Sequence, residues 1–192
     1  VNQSHLGKHR LEPRWQVYSP FDRQPPSADL LDWLLDPGSL TQRLQEHCAG
    51  RFRVVPLGQY WQRPMLNEAQ ALDVKPHETA FVREVHLLCD DQPWVFARTV
   101  IPVRSLKGQR RRLCRLGNKP LGAVLFADPG MQRSGIEIAR LHAPQGLFQR
   151  ATAPLQSVPA EIWGRRSAFF LGGHPLLVSE IFLPEIGYSS QS

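Results

Sequence analysis

No apolar run in this 192-residue chain approaches the roughly 18 to 20 residues that a membrane-spanning helix requires. The longest, around Leu30–Leu35, is interrupted by Asp32 and ends at Asp36. Cysteine is sparse. Cys48, Cys89 and Cys114 are widely spaced and form no CxxC pair, which argues against a zinc ribbon or dithiol redox motif. Three reduced thiols in a cytoplasmic protein is the simplest expectation. The histidines carry no HExxH motif, so no metal site is expected. GxxxxGK(S/T), GxGxxG and GxSxG are all missing, which removes the common phosphate-binding and nucleophile-elbow signatures. The net charge of +6 admits a nucleic-acid partner, but no helix-turn-helix, zinc-finger or RNP pattern accompanies it. A small anionic substrate suits the charge equally.

What is present has a globular balance, 42% hydrophobic against 21% charged, enough for one ordinary domain. Residues 1–26 are polar and proline-containing and read as an irregular lead-in; residues 27–188 read as the folded unit. Ser27 precedes LLDWLL as a helix cap, Pro37-Gly38 stops that helix, and Ser39 caps a second over Leu40–His47. From Arg51 the texture is strand-like, with Pro56 and Gly58 marking a bulge or an edge. Leu66–Glu78 reads as a polar connection. Ala80–Cys89 and Trp94–Val103 flank a short polar turn and predict an antiparallel hairpin. Gly135–Arg140 alternates like a strand, 141–162 reads as loop, and Ser167–Leu171 with Leu176–Leu183 predicts a second hairpin around Gly172-Gly173. At an offset of 82 residues Arg83 aligns with Arg165, Pro93 with Pro175 and Pro102 with Pro184. That is either a decayed duplication or the likeness of any two hairpins. Repeated hairpins imply an α+β fold, a single antiparallel β-sheet with helices covering one face.

Parity along the strands singles out two charges. Arg83 shares a face with Phe81, Val85, Leu87 and Cys89; Glu180 shares one with Leu176, Val178 and Phe182. The alternate face of the first strand, with Val82, Glu84, His86 and Leu88, is mixed and is expected to be wetter. A charge on an apolar face needs a partner. Arg83 and Glu180 either pair with each other or nearby polar groups inside the core, or line a pocket for a carboxylate and a hydroxyl. Trp61, Trp94 and Phe96 are candidate aromatic walls. The basic run Gly108–Arg115 is read as a solvated face, a nucleic-acid patch or a guide for a small anion.

The blocks LLDWLL and SLTQRL, FVREVHLLCDDQPWVFARTVIP, RLGNKPLGAVLF, IEIAR and WGRRSAFFLGGHPLLVSEIFLP follow one another over about residues 29–185. In this order they resemble the chorismate pyruvate-lyase family. The resemblance implies an enclosed pocket on an antiparallel sheet, a fold shared with effector-binding domains of bacterial regulators. It also implies an elimination without metal or organic cofactor: chorismate gives pyruvate and 4-hydroxybenzoate, the first committed step of ubiquinone biosynthesis. It carries the ring carboxylate onto Arg83, the 4-hydroxyl onto Glu180, and main-chain substrate-binding positions onto Leu40 and Leu121. Arg98 and Arg165 are the candidates for the second carboxylate. Whether Glu180 also takes the C4 proton is left open. The implied partners are chorismate and its product, with no nucleic acid and no membrane span, and the expected state is a monomer. The alternative is a non-catalytic module of the same fold that senses an aromatic acid. Three positions depart from the family pattern: Leu40 replaces a methionine, Ala97 stands where a glycine precedes Arg-Thr, and the stretch between Arg140 and Trp163 is longer.

Overall fold

The computed structural model describes residues 12–22 and 24–186; positions 1–11 of the lead-in and 187–188 of the folded unit lie outside the described residues. Among the described residues the α-helices are α1 (Ala28–Leu35), α2 (Leu40–His47), α3 (Leu66–Ala71), α4 (Leu121–Phe126) and α5 (Gly146–Thr152). The strands are β1 (Phe52–Gln62), β2 (Ala80–Cys89), β3 (Gln92–Pro102), β4 (Gln132–Arg133), β5 (Glu137–His142), β6 (Glu161–Leu171) and β7 (His174–Phe182). They form one antiparallel sheet in the order β1-β2-β3-β7-β6-β4, with β5 also paired to β6.

Local chemistry explains most of these elements. The hydroxyls of Ser27 and Ser39 accept the amides of Leu30 and Gln42, so each serine satisfies a free donor at a helix start. The bulge in β1 falls between Pro56 and Gly58. The β2–β3 turn has Asp90 and Asp91 at φ 46° and 68°, and the β6–β7 turn has Gly172 and Gly173 at 56° and 77°. Two successive left-handed residues are what a tight hairpin turn demands, and aspartate tolerates that conformation better than most. The two hairpins meet where β3 pairs with β7, through Ala97↔Glu180 and Arg98↔Ser179. An 82-residue offset exchanges these two pairs, so the hairpin likeness has a geometric counterpart in a local two-fold.

One face of the sheet is covered by α1, α2, α4 and the 3-10 segment Gly108–Arg115, packed on Phe81, Val85, Leu87, Ile101, Phe169 and Val178. The opposite face, expected to be wetter, is buried as well. Leu72, just past α3, packs on Val82, Val100 and Leu177; Leu147, Phe148 and Ala151 of α5 pack in the cluster of Phe96 and Ile181. Glu84 and His86 on that face are buried with them.

Two segments differ from the sequence reading. The connection 66–78 contains α3, whose N-cap residue Met65 offers no side-chain oxygen, though Glu68 accepts the Met65 amide at 2.8 Å. The helix amides at Leu66 and Asn67 donate to Glu12, both at 3.0 Å, a residue more than fifty positions away. The loop read over 141–162 contains α5 and the beginning of β6. Here a signal existed, because Leu147, Phe148 and Ala151 lie on one helical face.

The thiols are also a correction. Cys48, at the C-terminal cap of α2, and Cys89, at the end of β2, form a disulfide with Cα atoms 5.7 Å apart, and Cys114 alone is free. A separation of 41 residues carried no hint of this, since the fold brings the helix end to the strand end. Titration of the unreduced, denatured protein is expected to return one thiol per chain; three would mean that the pair is not bonded.

Candidate active site

The cavity lies under α2 and α4, on the face carrying Arg83 and Glu180. Strand register builds its floor as two adjacent rows. One row runs Arg83, Thr99, Val178, Ser167 across β2, β3, β7 and β6; the next runs Val85, Ala97, Glu180, Arg165. The roof comes from Leu40 and Thr41 of α2 and from Leu121, Gly122 and Leu125 of α4. The two helices approach closely at their N-terminal ends. A Cβ on Gly122 would stand 3.1 Å from the Thr41 hydroxyl and 3.2 Å from that of Ser39. The space between its lining atoms, counted out to the open mouth, is about 550 Å³.

Arg83 is 3% exposed. Its Nη2 donates to the carbonyls of Gly117 and Lys119 at 2.9 and 3.0 Å, and its Nε is buried without an acceptor. Gly117 has φ +54°, a left-handed conformation that glycine adopts freely. Among the described residues no carboxylate pairs with Arg83. Burial therefore pushes its guanidinium below the usual arginine value with nothing opposing the shift. Such a site is electrostatically incomplete until an anion arrives.

Glu180 does not pair with Arg83. Its Oε2 accepts from Arg165 Nε at 2.6 Å. Arg165, 1% exposed, also donates Nη1 to the carbonyls of Trp33 and Asp36 at 2.9 and 2.6 Å. Its Nε and Nη1 are thus committed to Glu180 and to the end of α1. A third guanidinium lines the cavity, that of Arg133 on β4. No sequence signal marked it, because a two-residue strand has too little alternation to show a face.

The structure brings Arg83, Glu180, Leu40, Leu121 and Arg165 into one chamber. It does not bring Arg98 there. Arg98 lies one residue from Ala97 and Thr99 and so projects to the opposite face, where it meets Glu68 and Glu84. The aromatic walls also differ. Trp61, Trp94 and Phe96 do not line the cavity; Phe169 and Phe126 do. Phe96 is on the far face, and Trp61 is 56% exposed near the end of β1. Ala97, in the glycine position of the family pattern, is paired directly with Glu180 in the floor.

Residues 12–191 match the family model described as chorismate lyase. The chain belongs to the chorismate lyase family. Among its relatives, a "Probable chorismate pyruvate-lyase" of Nitrosomonas europaea is 41% identical over 159 residues, 83% of this chain and 89% of that protein. One of the same name from Aromatoleum aromaticum is 41% identical over 182 residues, 92% of this chain and 97% of that one. Solved structures share the fold at low identity. The effector domain of PhnF from Mycobacterium smegmatis has a TM-score of 0.56 at 14% identity, covering 79% of this chain and 91% of that one. The C-terminal domain of the histidine utilization repressor from Pseudomonas syringae has 0.52 at 12%, covering 70% and 93%. Among the described residues of this family member no helix is long and apolar enough to cross a membrane.

Proposed function

We propose that the chain is a chorismate lyase. It would cleave chorismate to pyruvate and 4-hydroxybenzoate, the first committed step of ubiquinone biosynthesis. The single observation that carries this beyond family membership is the placement of one arginine without a carboxylate partner and one held carboxylate on the floor of a largely apolar chamber. Arg83 and Glu180 are two strands and one row apart, about 12 Å between Cα atoms from strand spacings of ~4.8 Å and a two-residue rise of ~6.8 Å. A six-membered ring with a carboxylate at one end and a hydroxyl at the other would lie between their side chains. The Arg83 Nε and Nη1 donors would take the ring carboxylate. The first amide of α4, at Leu121, and that of α2, at Leu40, have no intrahelical acceptor and would add main-chain donors.

In the elimination the C3–O bond breaks and its electron pair becomes the carbonyl of pyruvate. The hydrogen at C4 moves to the methylene carbon of the enolpyruvyl group, which becomes the methyl of pyruvate. The ring closes its aromatic sextet. In this reading that hydrogen passes directly between the two parts of the substrate, and the protein holds the geometry in which it can do so. Arg165 occupies Glu180 Oε2, so Oε1 would accept the hydrogen bond of the 4-hydroxyl and fix the face of C4. The reading includes a monomer at work in the cytoplasm without metal or organic cofactor. In a reducing compartment the Cys48–Cys89 bond forms against the ambient potential, so the thiol count above bears on the compartment too.

Incubation of the purified protein with chorismate, without added metal or cofactor, is expected to release pyruvate and 4-hydroxybenzoate in equal amounts. Binding of both compounds without pyruvate release would instead support the aromatic-acid-sensing module. Glu180→Gln keeps an acceptor for Arg165 and is expected to lower kcat less than about tenfold. Loss of a general base costs about 10²- to 10⁴-fold, so a drop of that size would make Glu180 the base.

A further inference from the structure

Arg133 belongs to β4 and is in register with Phe169, one row beyond Ser167. Its guanidinium does not stay in that row. Nε donates to Ser167 Oγ at 3.0 Å, which leans the group back to the end of the row that begins with Arg83. Nη1 donates to the Pro37 carbonyl at 2.7 Å, and the guanidinium carbon sits 5.1 Å from the centre of the Phe169 ring. Among the described residues Nη2 has no acceptor and no carboxylate forms an ion pair with Arg133. Glu180 and Asp36 attract it at longer range, but burial and the charge of Arg165 outweigh them and hold it below the usual arginine value. The chamber therefore holds three cations and one carboxylate, and the one carboxylate is taken by Arg165. Arg83 and Arg133 stand at opposite ends of the floor, four strand spacings and one row apart, ~20 Å at the main chain from spacings of ~4.8 Å and a two-residue rise of ~6.8 Å, and the Ser167 contact brings the Arg133 guanidinium one strand back toward Arg83.

We infer that Arg133 is a specificity-determining residue, the binding group for a second carboxylate borne on the ring position next to the hydroxyl. The inference rests on the lyase reading for the identity of that carboxylate, which would be the one on the enolpyruvyl ether. It replaces Arg98, which is on the wrong face, and stands ahead of Arg165, whose Nε is held by Glu180 and whose Nη1 donates to two carbonyls at the end of α1. Because Arg133 also holds the Pro37 carbonyl, the same guanidinium ties the α1–α2 connection to the anion beneath it.

Equilibrium binding of two probes tests this without relying on turnover. The probes are 4-hydroxybenzoate, with one carboxylate, and 3-(carboxymethoxy)-4-hydroxybenzoate, with two. The unaltered protein is expected to prefer the dicarboxylate by about 10- to 100-fold, the worth of one or two hydrogen bonds to a charged group. Arg133→Gln is expected to bind 4-hydroxybenzoate as before and to lose that preference; Arg133→Lys is expected to regain part of it. Ser167→Ala, which frees the guanidinium without removing it, is expected to weaken the preference several-fold and decides the matter if Arg133→Gln does not fold. No preference in the unaltered protein, a preference unchanged in the variants, or equal loss of both probes would overturn the inference. Absence of pyruvate release from chorismate would sink the lyase reading while leaving the binding ratio to stand or fall by itself.

Discussion

Arg83→Ala is expected to weaken binding of 4-hydroxybenzoate and to raise KM for chorismate together, each by at least about a hundredfold. The magnitude follows from two charge-assisted hydrogen bonds in a site screened from water, at about 1.5–3 kcal/mol each. Substrate and product share the ring carboxylate, so both should suffer alike. Fold stability should fall little. The guanidinium is buried without a carboxylate, so its removal relieves a desolvation cost while the Gly117 and Lys119 carbonyls lose a donor. Calorimetric titration with 4-hydroxybenzoate, alongside a thermal melt, separates the two quantities. Near-parental affinity in a folded Arg83→Ala protein would remove the anion site from Arg83.

Arg98→Met has the opposite profile: a large loss of stability with the ligand site intact. Arg98 is 1% exposed and grips Glu68 with Nε at 2.7 Å and Nη2 at 3.1 Å, while Nη1 reaches Glu84 at 2.8 Å and the Tyr60 hydroxyl at 3.3 Å. The second cation of the group, Arg150, meets Glu84 from the half-exposed edge at 3.0 Å. Two carboxylates around Arg98 raise its pKa further above the ordinary arginine value despite its burial. Without it, Glu68 is a buried carboxylate with no cation, and Glu84 keeps only Arg150. Breaking a buried pair from one side costs about 3–5 kcal/mol, or on the order of 10 °C in Tm for a chain of this size. Urea unfolding should show the deficit, and adding Glu68→Gln to the variant should recover a good part of it. At a temperature where the variant is folded, 4-hydroxybenzoate affinity should match the parent, because the whole network lies on the far side of the sheet. A selective loss of affinity would return Arg98 to the binding role that the sequence suggested.

These two arginines show how far local rules reach. Arg83 and Arg98 are both single charges in strands rich in apolar residues, and both become buried. Alternation told Arg83 from its neighbours because the strand is long and one of its faces is almost wholly apolar. For Arg98 alternation alone was not enough, since its face reads as mixed in the sequence and its partners Glu68 and Arg150 sit on α3 and α5, within segments that read as a connection and a loop. Helix α3 is six residues long, and its amides at Leu66 and Asn67 are taken by the distant Glu12 while Glu68 accepts only the Met65 amide before them. Arg133 was hidden for a related reason: a two-residue strand has no period, and its guanidinium is placed by Ser167 on another strand.

Serine caps, left-handed turn pairs, the β1 bulge and the inward faces of β2 and β7 follow from neighbours a few residues apart, so α1, α2, both hairpins and the pair Arg83–Glu180 could be read before any coordinates. Which face Arg98 serves, that Arg165 is consumed by Glu180, that Arg133 enters the chamber, and that Cys48 meets Cys89 were decided only by the folded chain. Each depends on groups brought together from distant positions by sheet order and helix docking, and linear spacing does not encode those encounters.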